Sequence, residues 1–564
     1  MENYKEILLI KLPYCPHPDY LKDQPDDFRS RDTFRPIPSL ALASICSFFN
    51  KYKKFDYDLK AVDLNIEGYE TPGVPIDTNV YQRLLADKIE KNSYSVLAIS
   101  VMLVYNIKWV EAIVKLSKHF HPEAKIIIGG GYPTIFPKMV IEKHGVDYAV
   151  IGEGEATFLH IINKLNNNED KQFEKKFPFN NYAYKDENNQ VIVVSRKEKY
   201  LDLVDLPPPD FDSINVEKYF EKSGDSILPI EGTRGCPYNC SYCCTYLSWG
   251  RKIRRKTTDS LLNEISEMYN KYDKPTRHFV DDNMSFDKIW IKSFLKKFSS
   301  LNLQMETVFS NFSVLHLDEE ILDLLLKVGV KQLAIAVETG SKEIQKRINK
   351  NLNFDQVKKV IKMFKERKFY FTIGWMIGFP NETLSQIKET FDLARDLRAN
   401  SNAFNIVLPY PGTKLYKEAK EQNLLAFDGK ELDNFGYRKA KHVKSSEWTP
   451  DLIQDLKYDA TIEMTYLNNP FLETEENMDY LIIDFERRLK KIPGHIIAHI
   501  VLGYIYKRKN KYSLTEKHYN SAVNHYKNKD LSGTFYKYLS WDHPIINEFN
   551  HYIKTNNIII EDLR

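Results

Sequence analysis

The sequence predicts an α/β multidomain chain: a doubly wound, Rossmann-like domain, then a partial (β/α)6 barrel, then a helical domain. Three observations predict it. Apolar strand-like runs alternate with helix-period segments in two series, one ending near residue 165 and one running from about 226 to 440; such alternation argues parallel sheets covered by helices. A polar, proline-containing stretch parts the two series. From Ser445 onward only helical periodicity remains. At 564 residues the chain exceeds a single core, because cores rarely grow past about 250 to 300 residues. The expected boundaries are 1–165, 166–225, 226–440 and 441–564.

In the first domain, strands are expected at Ile7–Ile10, Leu59–Val62, Val96–Ser100, Lys125–Ile128 and Tyr148–Ile151, with helices near 39–52, 79–91, 106–119 and 138–144. Runs of Ile and Val fit strands buried on both faces. Ligands of such sheets sit beyond the carboxyl ends of the strands, and small residues gather there: Ser100-Val101-Met102, Gly129-Gly130-Gly131 and Gly152-Glu153-Gly154-Glu155. Glycine lets a ligand approach the backbone closely; a tight turn is the plain alternative. The combination resembles the cobalamin-binding domain that precedes many radical S-adenosylmethionine (SAM) domains. The resemblance implies that Ser100, Met102, Gly129, Gly130, Gly131, Gly152, Glu153 and Gly154 line a corrinoid slot. The Asp-x-His-x-x-Gly element that ligates cobalt in methionine-synthase-type domains is missing from the loop Leu12–Tyr20, where His17 reads as a turn residue. The cobalt's lower face is therefore expected to lack a protein histidine, and residues 102–105 are the place to look for what covers it.

The connector opens on the polar run Asn166–Lys171, continues as a hairpin around Lys185–Asn189, and stiffens at Leu206-Pro207-Pro208-Pro209. It reads as a spacer that fixes the distance between two domains.

The second series centres on Gly232-Thr233-Arg234-Gly235-Cys236-Pro237-Tyr238-Asn239-Cys240-Ser241-Tyr242-Cys243-Cys244. Cysteines at 236, 240 and 243 have ligand spacing in a Gly- and Pro-punctuated loop. Iron–sulfur clusters ordinarily take four cysteines, so three leave one iron open for chemistry. A disulfide framework would want a short cysteine-dense chain, and structural zinc a second Cys or His pair at finger spacing; neither is present among the six cysteines. Cys244 reads as a buried small residue, and Arg234 either steadies the cluster's charge or forms a surface ion pair.

Strands are expected at 226–230, 277–280, 306–309, 332–337, 371–377 and 403–407, with helices near 257–272, 287–299, 317–328, 341–349, 354–368 and 383–398. Barrel chemistry sits at carboxyl strand ends, where Asp281-Asp282-Asn283, Ser310-Asn311, Glu338-Thr339-Gly340-Ser341 and Gly378-Phe379-Pro380-Asn381-Glu382-Thr383 collect. Ser341 and Asn381 also fit helix N-caps. Together with Cys-x3-Cys-x-Tyr-Cys these elements resemble the radical SAM superfamily along the whole domain. The resemblance implies a 4Fe-4S cluster on Cys236, Cys240 and Cys243, with Tyr242 beside it. It places the SAM amino group near Asp281, Asp282 and Asn283, the ribose or carboxylate near Ser310 and Glu338, and the adenine against Met376, Leu408 and Tyr410.

In the C-terminal region helices are expected over 450–468, 472–489, 494–508 and 513–527. Leu502, Gly503, Tyr506, Tyr519 and Ala522 have tetratricopeptide-like spacing. An ordinary hairpin covering the barrel and a docking surface through Tyr504, Tyr506, Lys507 and Lys509 both fit.

Lys plus Arg number 80 against 77 Asp plus Glu, net +3, so nothing electrostatic argues for nucleic acid. No window approaches 18 apolar residues, and Met1–Glu6 lacks a leader pattern. The chain is expected to be cytoplasmic, monomeric and off the membrane. The two resemblances together imply SAM, the cluster and cobalamin as cofactors, a flavodoxin or ferredoxin as electron donor, and methylation of an unactivated carbon of a small-molecule or peptide substrate through a 5′-deoxyadenosyl radical. Cyclisation, oxidation or rearrangement is the alternative outcome.

Overall fold

Burial on both faces is what the strands of the first sheet are made for. In β1 (Glu6–Lys11) every residue after Glu6 is buried, and Ile7 and Leu9 face one core while Leu8 and Ile10 face another. With β2 (Asp58–Asp63), β3 (Val96–Ser100), β4 (Lys125–Gly129) and β5 (Tyr148–Val150) it forms a parallel sheet ordered β2-β1-β3-β4-β5. The strand order reverses between β1 and β3, and in doubly wound sheets that crevice is where ligands bind. Helices Leu40–Tyr52 and Glu155–Leu165 cover one face through Phe48, Phe49, Phe158 and Leu159. Helices Thr78–Lys91, Ile107–Phe120 and Pro137–His144 cover the other. The helix over Glu155–Leu165 is absent from the sequence reading.

The computed structural model describes residues 4–15, 17–18, 36–70, 77–102, 106–168, 170–178, 181–195, 200–273, 275–303, 306–310, 312–426, 442–527 and 536–558. Residues 103–105, part of the stretch expected to cover the cobalt's lower face, and Asn311 lie outside them.

The connector is no free spacer. Its hairpin, β6 (Tyr182–Lys185) and β7 (Val191–Val194), pairs antiparallel onto β5 and extends the sheet to seven strands. An open β5 edge would expose unpaired backbone groups, and the hairpin removes it. The proline run lies along helix Leu40–Tyr52: Ser47 Oγ donates to Pro208 O at 2.5 Å and Asp210 N to Ala43 O at 3.1 Å. Tyr219 OH donates to the buried Asp63 at 2.8 Å, and Asp63 also holds Lys11 at 3.1 Å.

The second domain is the expected open barrel of six parallel strands. β8 (Ile227–Ile230) leads into β9 (Thr233–Arg234), which pairs antiparallel with β10 (Arg254–Arg255). β11 (Thr276–Phe279) and β12 (Thr307–Phe309) pair beyond β8, while β13 (Gln332–Glu338), β14 (Tyr370–Ile377) and β15 (Ser401–Ile406) form a second parallel group. A parallel bridge from Phe312 to Ile335 joins the two groups, so the order around the wall is β8-β11-β12-β13-β14-β15.

The helical region caps the open edge of that wall. Helix Pro450–Thr461 runs on into a π-helical turn, Ile462–Leu467, whose Thr465 Oγ1 accepts from Asn402 N at 3.0 Å and donates to Asn402 O at 3.2 Å. Asn469 Nδ2 donates to Asn400 O at 2.6 Å. Side chains thus satisfy the backbone that β15 leaves unpaired. In the helix pair Ile496–Arg508 and Tyr512–Lys527, Gly503 lies so near Tyr519 that a Cβ there would come within 2.2 Å of the ring. Three of the side chains named for a docking surface are engaged within the region itself. Tyr506 is buried and donates to Glu486, while Lys507 and Lys509 are engaged by Glu548 and Asp479. Among the described residues no helix is long and apolar enough to cross a membrane.

Candidate active site

The cysteine loop is held from three sides. Asp281, at the end of β11, accepts from Gly232 N at 3.0 Å, Thr233 N at 2.5 Å and Thr233 Oγ1 at 2.7 Å. From the opposite wall Ser241 N donates to Ile348 O at 3.0 Å, and Leu415 N donates to Ser241 O at 2.8 Å. Cys243 N closes a turn onto Cys240 O at 3.2 Å. Asp281 is therefore a correction to the expectation that it meets SAM. It is 3% exposed and turned beneath the loop, where burial pushes its carboxyl up to about 7.

Cys236, Cys240 and Cys243 are free, half-buried thiols. Burial raises Cys236 and Cys240, and the neighbouring Cys243 adds to both, so the three sulfurs share one electrostatic neighbourhood. Asn283 Nδ2 donates to Cys236 Sγ at 3.7 Å. Among the described residues no three His, Cys, Asp or Glu side chains converge as ligands of a single metal ion would. A four-iron cluster is held by cysteine thiolates, and the donor set here is three half-buried thiols on one short loop. Cys244 is not the buried residue expected: it is exposed and faces the large cavity described below.

On the β13 side Glu338 sits at φ 73°, where the register of β13 against β14 shifts. A non-glycine residue there is uncommon, and the bulge re-aims its carboxylate. Tyr242 OH donates to Glu338 at 2.7 Å, and Lys350 Nζ lies 3.3 Å from the same oxygen. Tyr242 and Met376 pack against the cluster of Phe379 and Val407. The expected adenine wall divides here: Leu408 and Tyr410 pack instead against the core of the first domain, and Tyr410 lines the large cavity. Asn381, expected as a cap, has φ 56° and donates to Gln422; the cap is Thr383, in a reciprocal box with Gln386.

A cavity of about 1060 Å³ opens between the two domains. Ser100, Met102, Gly129, Gly130, Gly131, Gly152 and Gly154 line its first-domain wall, while Pro229, Glu231, His278, Val280 and Asp282 line its barrel wall. The size matches the upper end of ligand pockets, about 300 to 1,000 Å³, as a corrin-sized group needs. The glycines serve two purposes. A Cβ on Gly130 would come within 2.2 Å of Val101 O, and one on Gly131 within 2.2 Å of Met102 O, so the neighbouring strand end demands both. A Cβ on Gly129 would find nothing nearer than Val150 at 3.7 Å, which leaves that glycine to the cavity.

Glu153 is a second correction. It does not line the cavity; it accepts from Leu201 N at 2.9 Å and pairs with Arg254 at 2.6 Å. Its neighbour Glu155 pairs with Arg234 at 2.7 Å, and Glu231 holds Arg234 Nε at 2.8 Å. Arg234 is 3% exposed and lies 4.6 Å over the Trp249 ring. It is thus neither a surface pair nor a cluster contact but the hub of a buried ionic joint between the Gly-Glu-Gly-Glu segment and the cysteine loop. Burial raises Glu155, yet Arg234's charge and hydrogen bond carry it below its ordinary value.

Asp282 accepts from Gly235 N at 3.3 Å and Thr245 Oγ1 at 3.4 Å, and burial pushes it up to about 6. Ser310 Oγ lies 2.5 Å from His278 Nε2, whose ring burial keeps neutral. The sequence reading omits His278. Strand alternation could have found it, since His278, Val280 and Asp282 share one face and all three line the cavity.

Two family models match the chain: the B12 binding domain over residues 58–162 and the Radical SAM superfamily over 230–394. The chain is 26% identical over 414 residues, covering 66% of it and 76% of the relative, to a cytidylyl-2-hydroxyethylphosphonate methyltransferase of Streptomyces wedmorensis. It is 24% identical over 322 residues, 55% of each, to an anaerobic magnesium-protoporphyrin IX monomethyl ester cyclase of Rubrivivax gelatinosus. In fold it is similar to OxsB, a cobalamin-dependent SAM radical enzyme solved with aqua-cobalamin and SAM. The TM-score is 0.61 at 14% identity, over 98% of this chain and 84% of that one. It is also similar to the radical SAM methyltransferase TsrM of Kitasatospora setae, TM-score 0.59 at 16% identity over 74% and 76%.

Proposed function

The chain is a cobalamin-dependent radical SAM enzyme, and from that premise we propose that it methylates an unactivated carbon of a small-molecule or peptide substrate held in the interdomain cavity. One observation carries this reading: the glycine-lined strand ends of the first domain and the barrel mouth beside the cysteine loop open into the same 1060 Å³ space. A substrate there meets the first-domain strand ends on one side and His278, Val280 and Asp282 of the barrel mouth on the other. When bound, the cluster, SAM and the corrinoid supply the radical and the methyl group. The chain's own residues bind, orient and shield.

Cys236, Cys240 and Cys243 are assigned as cluster ligands, and Asn283, donating to Cys236 Sγ at 3.7 Å, steadies that thiolate. Tyr242, Glu338 and Met376 form the SAM side, where Lys350 neutralises Glu338 at 3.3 Å. Asp282 and His278, the latter held by Ser310, present hydrogen-bonding groups to the cavity. Ser100, Met102, Gly129, Gly152 and Gly154 form the corrinoid wall; Gly130 and Gly131 shape it through the chain. Asp281 and Glu153 position the loop and the joint and touch no cofactor. The domain limits of 1–165, 166–225, 226–440 and 441–564 are kept as the proposed division, with the connector folded onto the first domain. A thiolate-held cluster needs reducing surroundings, so we place the chain in the cytoplasm, as a monomer served by a flavodoxin or ferredoxin.

Anaerobically reconstituted protein given SAM and a reductant should release 5′-deoxyadenosine, and Cys240→Ala should abolish the release. Continued release from the variant would remove the loop from the cluster. Ring formation is the second reading, favoured by the cyclase relative. A substrate that reacts without gaining a methyl group's mass would select it.

A further inference from the structure

We propose that the outer wall of the cysteine loop is the face on which an acidic one-electron carrier protein docks; the proposal rests on the radical enzyme reading, which draws its electron from outside the chain. Three features meet on this wall. The first is a hydrogen-bonded path inward. Tyr238 OH lies 2.7 Å from His316 Nε2, His316 Nδ1 lies 3.2 Å from Ser285 Oγ, Ser285 Oγ donates to Asn283 Oδ1 at 3.3 Å, and Asn283 reaches Cys236 Sγ at 3.7 Å. Ser285 and His316 are buried while Tyr238 is half-buried, so the path runs from a cluster ligand to the surface.

The second feature is apolar. At the outer end Phe286 sets its ring edge-on to Tyr238 at 6.0 Å and to His316 at 5.4 Å, and is 42% exposed. Ile289 nearby is 86% exposed, more than any other large apolar side chain among the described residues. The third is charge. From Gly232 to Thr258 the chain carries six Lys and Arg and no Asp or Glu. Arg234, Arg254, Arg255 and Lys256 are engaged by Glu155, Glu153, Asp287 and Glu264. Arg251 and Lys252 remain on the rim: Arg251 donates to Tyr238 O at 2.6 Å, and Lys252 is exposed.

A small apolar centre with a charged rim suits the weak, brief encounters of electron transfer. The positive rim selects a negative partner and sets the on-rate. In the encounter the carrier loses one electron and the cluster gains one; any proton the carrier releases goes to solvent.

The probe is flavodoxin reduced by its NADPH-dependent reductase, added to the cluster-loaded chain. Lys252→Glu and Ile289→Asp should each weaken flavodoxin binding in calorimetry and slow cluster bleaching by flavodoxin about tenfold at low salt. Titanium(III) citrate should bleach both variants at the wild-type rate, which shows them folded and loaded. Added salt should slow the wild type toward the Lys252→Glu rate. Wild-type flavodoxin affinity and rate in both variants would overturn the docking face. Failure of titanium-reduced wild type to cleave SAM would instead overturn the enzyme reading beneath it.

Discussion

The two walls of the cavity are both made of carboxyl strand ends, yet they are built in opposite ways. The first-domain wall carries a run of glycines at its strand ends among side chains such as Ile99, Met102 and Phe158: Gly129, Gly152 and Gly154 face the space with no side chain, and Gly130 and Gly131 are glycine because the chain just beyond β3 passes within 2.2 Å of where a Cβ would be. The barrel wall instead presents ionisable side chains, with Glu231, His278 and Asp282 facing the space and Asp281 tying the loop from below. Strand ends without side chains let a large flat ligand approach the chain closely. A wall bearing an imidazole and carboxylates holds reacting groups in place.

The joint between them is the first place to break this contrast. Arg234 is the cation shared by Glu155 and Glu231, with Glu153 3.5 Å away, all buried. Removing one partner of a buried ionic network leaves charges uncompensated and costs about 3–5 kcal/mol. Arg234→Met should therefore lower the denaturant midpoint by an amount of that order and loosen both walls together, reducing hydroxocobalamin retention and cluster loading in one variant. Loss of one without the other would show that the walls are held independently.

The barrel can also be tested by pH, at a carboxyl away from the cavity. Glu382 is fully buried, accepts from Gly378 N at 2.6 Å and Phe379 N at 3.0 Å, and burial pushes its carboxyl up to about 7 from an ordinary 4.5. Between those values the folded chain keeps a proton that the unfolded chain has lost. The stability this group confers is complete below about pH 4.5 and is lost as pH rises through 7; the gap corresponds to on the order of 3 kcal/mol. Glu382→Gln keeps an acceptor for both N–H groups and should make the fall of stability with pH shallower across that window, the remaining slope belonging to Asp281 and Asp282, which burial raises to about 7 and about 6. An unchanged slope would place the titration elsewhere.

How far each wall was legible in the sequence follows from the same contrast. The barrel's six strands and the cysteine spacing were readable because periodicity and ligand spacing are local. Which carboxylate faces inward was not. Asp281 and Asp282 are adjacent, and strand alternation sends one beneath the loop and the other into the cavity. Glu153 was read as a cofactor contact because its motif is glycine-rich; its true partner, Arg254, lies about a hundred residues away, and no spacing rule reaches that far. The connector read as a spacer because prolines and polar runs mark a break. Its packing on the first domain depends on a sheet edge that only the assembled fold reveals.

The smallest expected effect separates shaping from contact within the glycine wall itself. Gly130→Ala meets Val101 O and adopts φ 111°, a conformation alanine rarely takes; strain of this kind costs about 1–3 kcal/mol, and the thermal midpoint should fall. Gly129→Ala meets only Val150, at 3.7 Å, so its midpoint should stay within the small scatter of neutral substitutions. Its methyl group would nonetheless project from a cavity-lining position. Hydroxocobalamin retained through gel filtration should therefore drop for Gly129→Ala in a protein as stable as the wild type. If Gly129→Ala binds corrinoid as well as the parent, the ligand does not approach the end of β4, and the contact wall shrinks to Ser100 and Met102 after β3 and Gly152 and Gly154 after β5.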